Sequence, residues 1–316
     1  MPTEKYLHEM KDFADLIRVV SRDRGILPQL IEKDYWIMHS LYGLQQQGFT
    51  FELKGGTSLS KGYRIIQRFS EDIDIRIEPP PEMEVKVGKN HTKTAHVESR
   101  RKFFDWLAGE IHIPGITAVG RDHAFDNKDL FSAGIRLVYP SPFDALEGLK
   151  TGILLELGFD DTTPNEPMDI SSWALDKAET MGENVINNRA VAVKCYDPAF
   201  TLVEKLQAVS TKFRKQQETG TFPENFLRHY YDIYCLLAHD RVQGFIGTDA
   251  YEERKAKRFP TSDNLRIAEN EAFLLRNTDT RALYQTEYAK TYGLYYAGAI
   301  PFDEIMARID QHINRL

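Results

Sequence analysis

The stretch KGGTSLSKGYRIIQRFSEDIDIRIE, residues 54–78, concentrates the side chains with the clearest chemical potential. Successive side chains of a strand alternate faces, so Asp72 and Asp74 project from one face, about 7 Å apart along the chain. Ile73, Ile75 and Ile77 then fill a core on the other face. Two carboxylates so placed repel each other unless a cation lies between them. Mg²⁺ prefers such hard oxygen ligands and keeps waters that a substrate phosphate can replace. The pair suits phosphoryl or nucleotidyl transfer. Gly55-Gly56-Thr57-Ser58 supplies a complementary half. Two glycines let a ligand approach the backbone, Ser58 is a helix-capping residue, and free N–H groups at a helix start bind phosphate. Lys61, one turn further on, adds positive charge toward a triphosphate. Each signal has a plain alternative, an ordinary helix start and a solvated strand face, but their close succession favours a site.

The elements that must position these groups follow from periodicity. Met10, Phe13, Ile17 and Val20, then Leu30, Ile37, Leu41 and Leu44 after Pro28, predict two helices ahead of the first strand. Residues 51–54 read as a short strand, 58–69 as a helix and 72–77 as an alternating strand. That order opens an α+β or α/β domain. Pro79-Pro80-Pro81 stops the strand, and 82–96 reads as a polar surface loop, free to move or to touch a substrate. A helix near 98–109 precedes strands near 116–119, 135–139, 153–159 and 190–195. Beyond Asp197-Pro198 the pattern is helical, which divides the chain into 1–197 and 198–316. No internal repeat or low-complexity tract is present.

Composition excludes several classes. With 42% hydrophobic and 28% charged residues over 316 positions, the chain is globular rather than disordered, long enough for one large or two ordinary domains. The formal charge of -7 argues against a general nucleic-acid coat but leaves local basic clusters. These are Lys54, Lys61, Arg64 and Arg68; Lys212, Arg214 and Lys215; and Arg254, Lys255, Lys257 and Arg258, the last reading as a solvated helix face. Nothing resembles a signal peptide or a membrane span, so a cytoplasmic setting is expected. Cys195 and Cys235 form no CxxC pair and read as reduced core residues. No P-loop, dinucleotide fingerprint or HExxH spacing occurs.

GGTSLSKGY followed by RFSEDIDI, with IEKDYWI at 31–37 before them, resembles the AbiEii/AbiGii nucleotidyltransferase toxins of the DNA polymerase beta-like nucleotidyltransferase superfamily. TLVEKL at 201–206, RHYYD at 228–232 and the C-terminal PFDEIMARI extend the resemblance over most of the chain. It implies a polymerase beta-like core with a mixed sheet, N-terminal helices, and a C-terminal helical domain that completes the active site. It also implies an NTP substrate, and Mg²⁺, with Mn²⁺ as its alternative, held by Asp72, Asp74 and a third carboxylate. Glu156 is the candidate for the third, because a charge within ILLELGF needs a partner or a metal; Asp160 and Asp161 are the alternatives.

In the TLVEKL helix, Leu202, Leu206, Val209 and Phe213 form one stripe, with Lys205 and Lys212 together on its flank. The resemblance places an essential lysine here, Lys205, with Lys212 as alternative or helper. Phe226, Tyr230, Ile233 and Leu237 form the next core stripe. Asp232 matches the second aspartate of the family's Arg-Asp-x-x-Asp pattern, whereas His229 replaces the first. Arg228 and Asp232 are spaced for a helix ion pair, and Tyr284, Tyr288, Tyr292, Tyr295 and Tyr296 read as core or partner-facing aromatics. The implied site has Asp72, Asp74, Lys205 and Asp232 as catalytic residues and Gly55, Gly56, Thr57, Ser58, Lys61 and Lys212 as nucleotide-binding ones. Asp72, Asp74 and Glu156 hold the metal. The implied activity moves a nucleoside monophosphate to an acceptor such as the tRNA 3′ end, in a toxin-antitoxin or abortive-infection pair with a cognate antitoxin. A protein acceptor, or a non-catalytic NTP-binding module that docks a partner, is the alternative.

Overall fold

The predicted N-terminal helices form as α1, Phe13–Arg24, and α2, Pro28–Gln46. Pro28 opens α2 where its missing N–H costs nothing, and Gly25, at φ 66°, closes α1 in the left-handed region. The computed structural model describes residues 4–146 and 148–316. Helix α2 is buried along most of its length, including Glu32, Lys33 and Asp34. A buried charge requires a partner, and each of the three finds one in a different segment. Glu32 accepts a 2.6 Å hydrogen bond from Ser141. Lys33 donates to Glu71 at 3.3 Å and to the Lys150 carbonyl at 2.6 Å. Asp34 pairs with Lys61 and accepts from the Trp173 amide at 2.9 Å. The IEKDYWI run is thus a post to which the surrounding loops are tied.

The elements that follow are β1 (Phe51–Lys54), α3 (Gly55–Thr57), β2 (Asp72–Ile77), α4 (Thr94–Glu110), β3 (Ala118–Asp122), β4 (Ser132–Val138), β5 (Ile153–Gly158), β6 (Asn165–Ile170), α5 (Trp173–Met181) and β7 (Ala190–Tyr196). Among the described residues the strands form one sheet in the order β3-β4-β5-β2-β1-β7-β6. It is mixed, as expected. Strand β2 is antiparallel to β1 and parallel to β5, and β1 is parallel to β7. Strand β6 and helix α5 are additions to the elements expected from periodicity. Strand β6 is an edge strand, NEPMDI, where Pro167 is tolerated and alternation is lost. Helix α5 carries a legible signal in Ser172, whose side chain accepts from the Leu175 amide, and in Gly182 at φ 74°.

Two expectations need correction. The helix expected over 58–69 begins earlier, at Gly55, and ends at Gly62 after one π-helical turn, Ser58–Gly62. A Cβ on Gly62 would stand 2.8 Å from the Cys195 sulfur, so the turn packs closely on β7. The polar segment 82–96 is not a free loop. Helix α4 starts within it, and the fully buried Arg100 donates to the carbonyls of Lys86, His91 and Asp129, with its guanidinium 4.1 Å from the Phe131 ring centre.

Contacts divide the chain into two units, Met1–Gly62 with Ser70–Tyr196, and Tyr63–Phe69 with Asp197–Leu316. The second is helical: α6 (Pro198–Thr219), α7 (Arg228–Leu236), α8 (Asp240–Phe245), α9 (Asp249–Arg258), α10 (Glu271–Leu274), α11 (Thr278–Ala289) and α12 (Phe302–His312). Asp197 caps α6 by accepting from the Ala199 amide at 2.7 Å. Leu202, Leu206, Val209, Phe226, Tyr230, Ile233 and Leu237 are all buried, as are Tyr284, Tyr288 and Tyr295, whereas Tyr292 is exposed. The third basic cluster is a solvated face only in part, with Lys257 exposed and Arg258 half-buried. Arg254 and Lys255 are buried, on Glu204 at 3.0 Å and the Leu316 carbonyl at 2.6 Å respectively. No described helix is long and apolar enough to cross a membrane.

Arg100→Ala removes three hydrogen bonds from a buried cation and leaves carbonyls unpaired. It should lower stability by about 2–4 kcal/mol, read from urea denaturation, and expose residues 86–93 to protease. An unchanged midpoint would show that the segment is held by other contacts.

Candidate active site

In β2 the isoleucines are buried and Asp72 and Asp74 are half-buried on the opposite face, as alternation requires. The parallel register sets Asp74 beside Glu156 of β5, and the antiparallel register sets it opposite Lys54 of β1. Gly55, next in the chain, has φ 68°, and a Cβ there would overlap the Asp74 carboxylate. Glycine is therefore demanded twice, by backbone conformation and by close approach. Gly56, Thr57 and Ser58 are buried, and the Thr57 hydroxyl donates to the Asp72 carbonyl at 2.5 Å. Ser58 is not the N-cap of a helix. It lies within the helical turn, with its hydroxyl beside the Cys195 thiol.

The electrostatics follow from crowding. Burial, then the charges of Asp74 and Asp72, push the Glu156 carboxyl up to about 8, against opposition from Lys150 and Lys54. Lys150 Nζ lies 2.8 Å from Asp72 Oδ2, while Asp72 Oδ1 is buried with no hydrogen-bond partner. Among the described residues no group of three or more His, Cys, Asp or Glu is gathered as a metal cage. The donor chemistry nevertheless fits a divalent ion: hard oxygens, an orphaned buried oxygen on Asp72, and mutual repulsion that a cation would relieve. Lys61 lies elsewhere, paired with Asp34 and 5.5 Å from the Trp173 ring centre. Lys150 escaped the sequence reading because GLKTG carries no periodicity. Its signal was position, immediately ahead of the strand that bears Glu156.

In the helical unit a second constellation forms around Asp232, which is fully buried on α7. Arg68 holds it bidentately, Nε to Oδ1 at 2.7 Å and Nη2 to Oδ2 at 2.8 Å, and Lys205 Nζ lies 2.9 Å from Oδ2. Burial alone would raise this carboxyl, but Arg68 and Lys205 overcome it and hold Asp232 far below the ordinary range. Arg228, four residues earlier on the same helix, is buried as well. His229 Nδ1 stands 3.5 Å from Lys205 Nζ. Burial, and then the charges of Lys205 and Lys212, keep this imidazole well below its usual pKa and so neutral at pH 7. Lys212 donates to the Glu224 carbonyl at 2.8 Å. Three members of the first basic cluster each have their own anionic partner, Lys54 with Asp160 at 3.8 Å, Lys61 with Asp34 and Arg68 with Asp232.

An Asp-x-Asp strand between a glycine turn and a parallel carboxylate-bearing strand, in a mixed sheet, is the arrangement implied by the resemblance to nucleotidyltransferases. The family model described as "Nucleotidyl transferase AbiEii toxin, Type IV TA system" matches residues 39–308, and the chain belongs to that family. It is accordingly a nucleotidyltransferase of toxin type, with an NTP as substrate and an antitoxin as counterpart. No curated protein matches it. Among solved structures it is similar to an antigenic nucleotidyltransferase-like protein from Paracoccidioides brasiliensis, at 13% identity over 72% of this chain and 87% of that one, with a TM-score of 0.33. That likeness is too distant to inform fold or function.

Two outcomes test these geometries. A folded-state carboxyl near 8 retains a proton that the unfolded chain releases near 4.5, so with metal chelated the parent should lose stability as pH rises between those values. Glu156→Gln should abolish that part of the slope; an unchanged slope would show that Glu156 is not crowded. Arg68→Met takes the bidentate partner from the buried Asp232 carboxylate, leaving Lys205 on it, and should cost about 3–5 kcal/mol in chemical denaturation, whereas a loss below about 1 kcal/mol would match an exposed pair.

Proposed function

We propose that this toxin transfers a nucleoside monophosphate from an NTP to an RNA hydroxyl, with the tRNA 3′ end as the acceptor that the family resemblance favours, Mg²⁺ as the ion and the cytoplasm as the setting. The observation that supports this most is the placement of Asp74 between Glu156 and the Gly55 backbone. Asp72, Asp74 and Glu156 would hold the ion. A divalent ion bound there would neutralise the triphosphate and acidify the acceptor hydroxyl. The Gly55-Gly56-Thr57-Ser58 turn would let a phosphate approach backbone N–H groups. In-line attack of the hydroxyl on the α-phosphorus forms the new phosphodiester and releases pyrophosphate.

In the same reading residues 1–197 form the nucleotidyltransferase domain, and 198–316 the helical domain that contributes to the reaction. Lys205, oriented by Asp232, offsets negative charge as pyrophosphate leaves, with Lys212 and Lys61 as secondary sources of positive charge. Lys61 shares its charge with Asp34, so its part is the smaller.

Incubating the protein with Mg²⁺, each α-labelled NTP in turn and bacterial total RNA or lysate tests this reading. Label should enter nuclease-sensitive material. Asp72→Ala and Asp74→Ala should each cut transfer roughly a hundredfold or more and abolish growth inhibition while keeping a native thermal transition. Label in protease-sensitive material would make the acceptor a protein. Parental transfer by the folded Asp variants would overturn the assignment of the carboxylates.

A further inference from the structure

Lys150 is held in place with unusual thoroughness for a loop residue. Its amide donates to Glu71 Oε2 at 3.1 Å, its carbonyl accepts from Lys33 Nζ at 2.6 Å, and Lys33 and Glu71 pair with each other at 3.3 Å. Both backbone groups of one residue are therefore fastened to a single buried ion pair, since Lys33 is 1% and Glu71 9% exposed. Such a pair is costly to bury, and what it fixes is the origin of the Lys150 side chain. From there the ammonium reaches Asp72 Oδ2 at 2.8 Å and lies 4.8 Å from the Phe125 ring centre.

We propose that Lys150 is a tethered counter-cation of the carboxylate set, and that a divalent ion binds there by displacing its ammonium from Asp72. The inference rests on the reading of Asp72, Asp74 and Glu156 as the ion's ligands. Lys150 sets its ammonium 2.8 Å from Asp72 Oδ2, so a cation drawn to the buried, unpartnered Oδ1 of the same carboxylate meets a like charge at close range, which drives the two apart. Lys150 brings one positive charge to the carboxylate set where a divalent ion brings two, and the Phe125 face, 4.8 Å from the ammonium, offers it a place beside the site once released.

The test is Mn²⁺ binding to the full chain, measured from free Mn²⁺ by electron paramagnetic resonance. The clamp uses only the Lys150 backbone, so Lys150→Met keeps it and should bind Mn²⁺ about tenfold more tightly than the parent. Lys150→Arg retains the competitor and should bind like the parent. Lys54→Met removes a charge near Glu156 that does not hold Asp72 and should change affinity by less than about twofold. In parallel, Mg²⁺ should increase the rate at which brief acetic anhydride treatment acetylates Lys150, followed by peptide mass spectrometry. If the parent binds Mn²⁺ in an Asp74-dependent way but Lys150→Met gains nothing, or Lys54→Met gains as much, displacement is wrong and the metal reading stands. If neither the parent nor Lys150→Met binds Mn²⁺, both fail.

Discussion

Repulsion among Asp72, Asp74 and Glu156 is the constraint on which the first unit depends. Burial, and then the charges of Asp74 and Asp72 on the adjacent parallel strand, raise the proton affinity of Glu156. The remaining design reads as compensation. Lys54 stands opposite Asp74 in the sheet register, Lys150 lies on Asp72, and the Gly55 backbone passes where any Cβ would strike Asp74. Helix α2 places that compensation, because Glu32, Lys33 and Asp34 each secure a different segment around it. Buried charges serve here as fixed attachment points, at a desolvation cost that a purely apolar helix would not incur.

The helical unit solves a similar problem with the opposite balance. One buried carboxylate, Asp232, faces two cations, Arg68 and Lys205, and so stays ionised while fixing the lysine ammonium. Arg68 comes from Tyr63–Phe69, a seven-residue excursion of the chain between the glycine turn and the Asp72 strand that belongs to this unit by its contacts. The same excursion pairs with the tyrosine-rich C-terminal region, through an isolated bridge from Arg68 to Tyr295 and the Phe69 amide on the Leu294 carbonyl. His229, a neutral imidazole 3.5 Å from the Lys205 ammonium, adds no negative charge to this cluster.

How much of this could be read from residues alone differs by feature. The alternation in DIDIRI fixed which face carried the aspartates, and the lone charge in ILLELGF marked Glu156, because both signals are local and periodic. The helical stripes of α6 and α7 were legible for the same reason. The partners of charged side chains were not. Lys61 and Arg68 look alike in sequence as basic residues after a glycine turn, yet one meets Asp34 and the other Asp232, 164 positions away. Strand β6 hid behind Pro167 and its edge position, and Lys150 behind a loop without periodicity. Long-range pairing is decided by topology, which local patterns do not encode.

The most direct test of the carboxylate site is crystallographic, with Mn²⁺ introduced and located by anomalous scattering. A single strong peak is expected within coordination distance of Asp72, Asp74 and Glu156, with the Lys150 ammonium moved off Asp72. A peak elsewhere, or Mn²⁺-treated crystals that retain the Lys150–Asp72 contact and show no ion between the carboxylates, would contradict it.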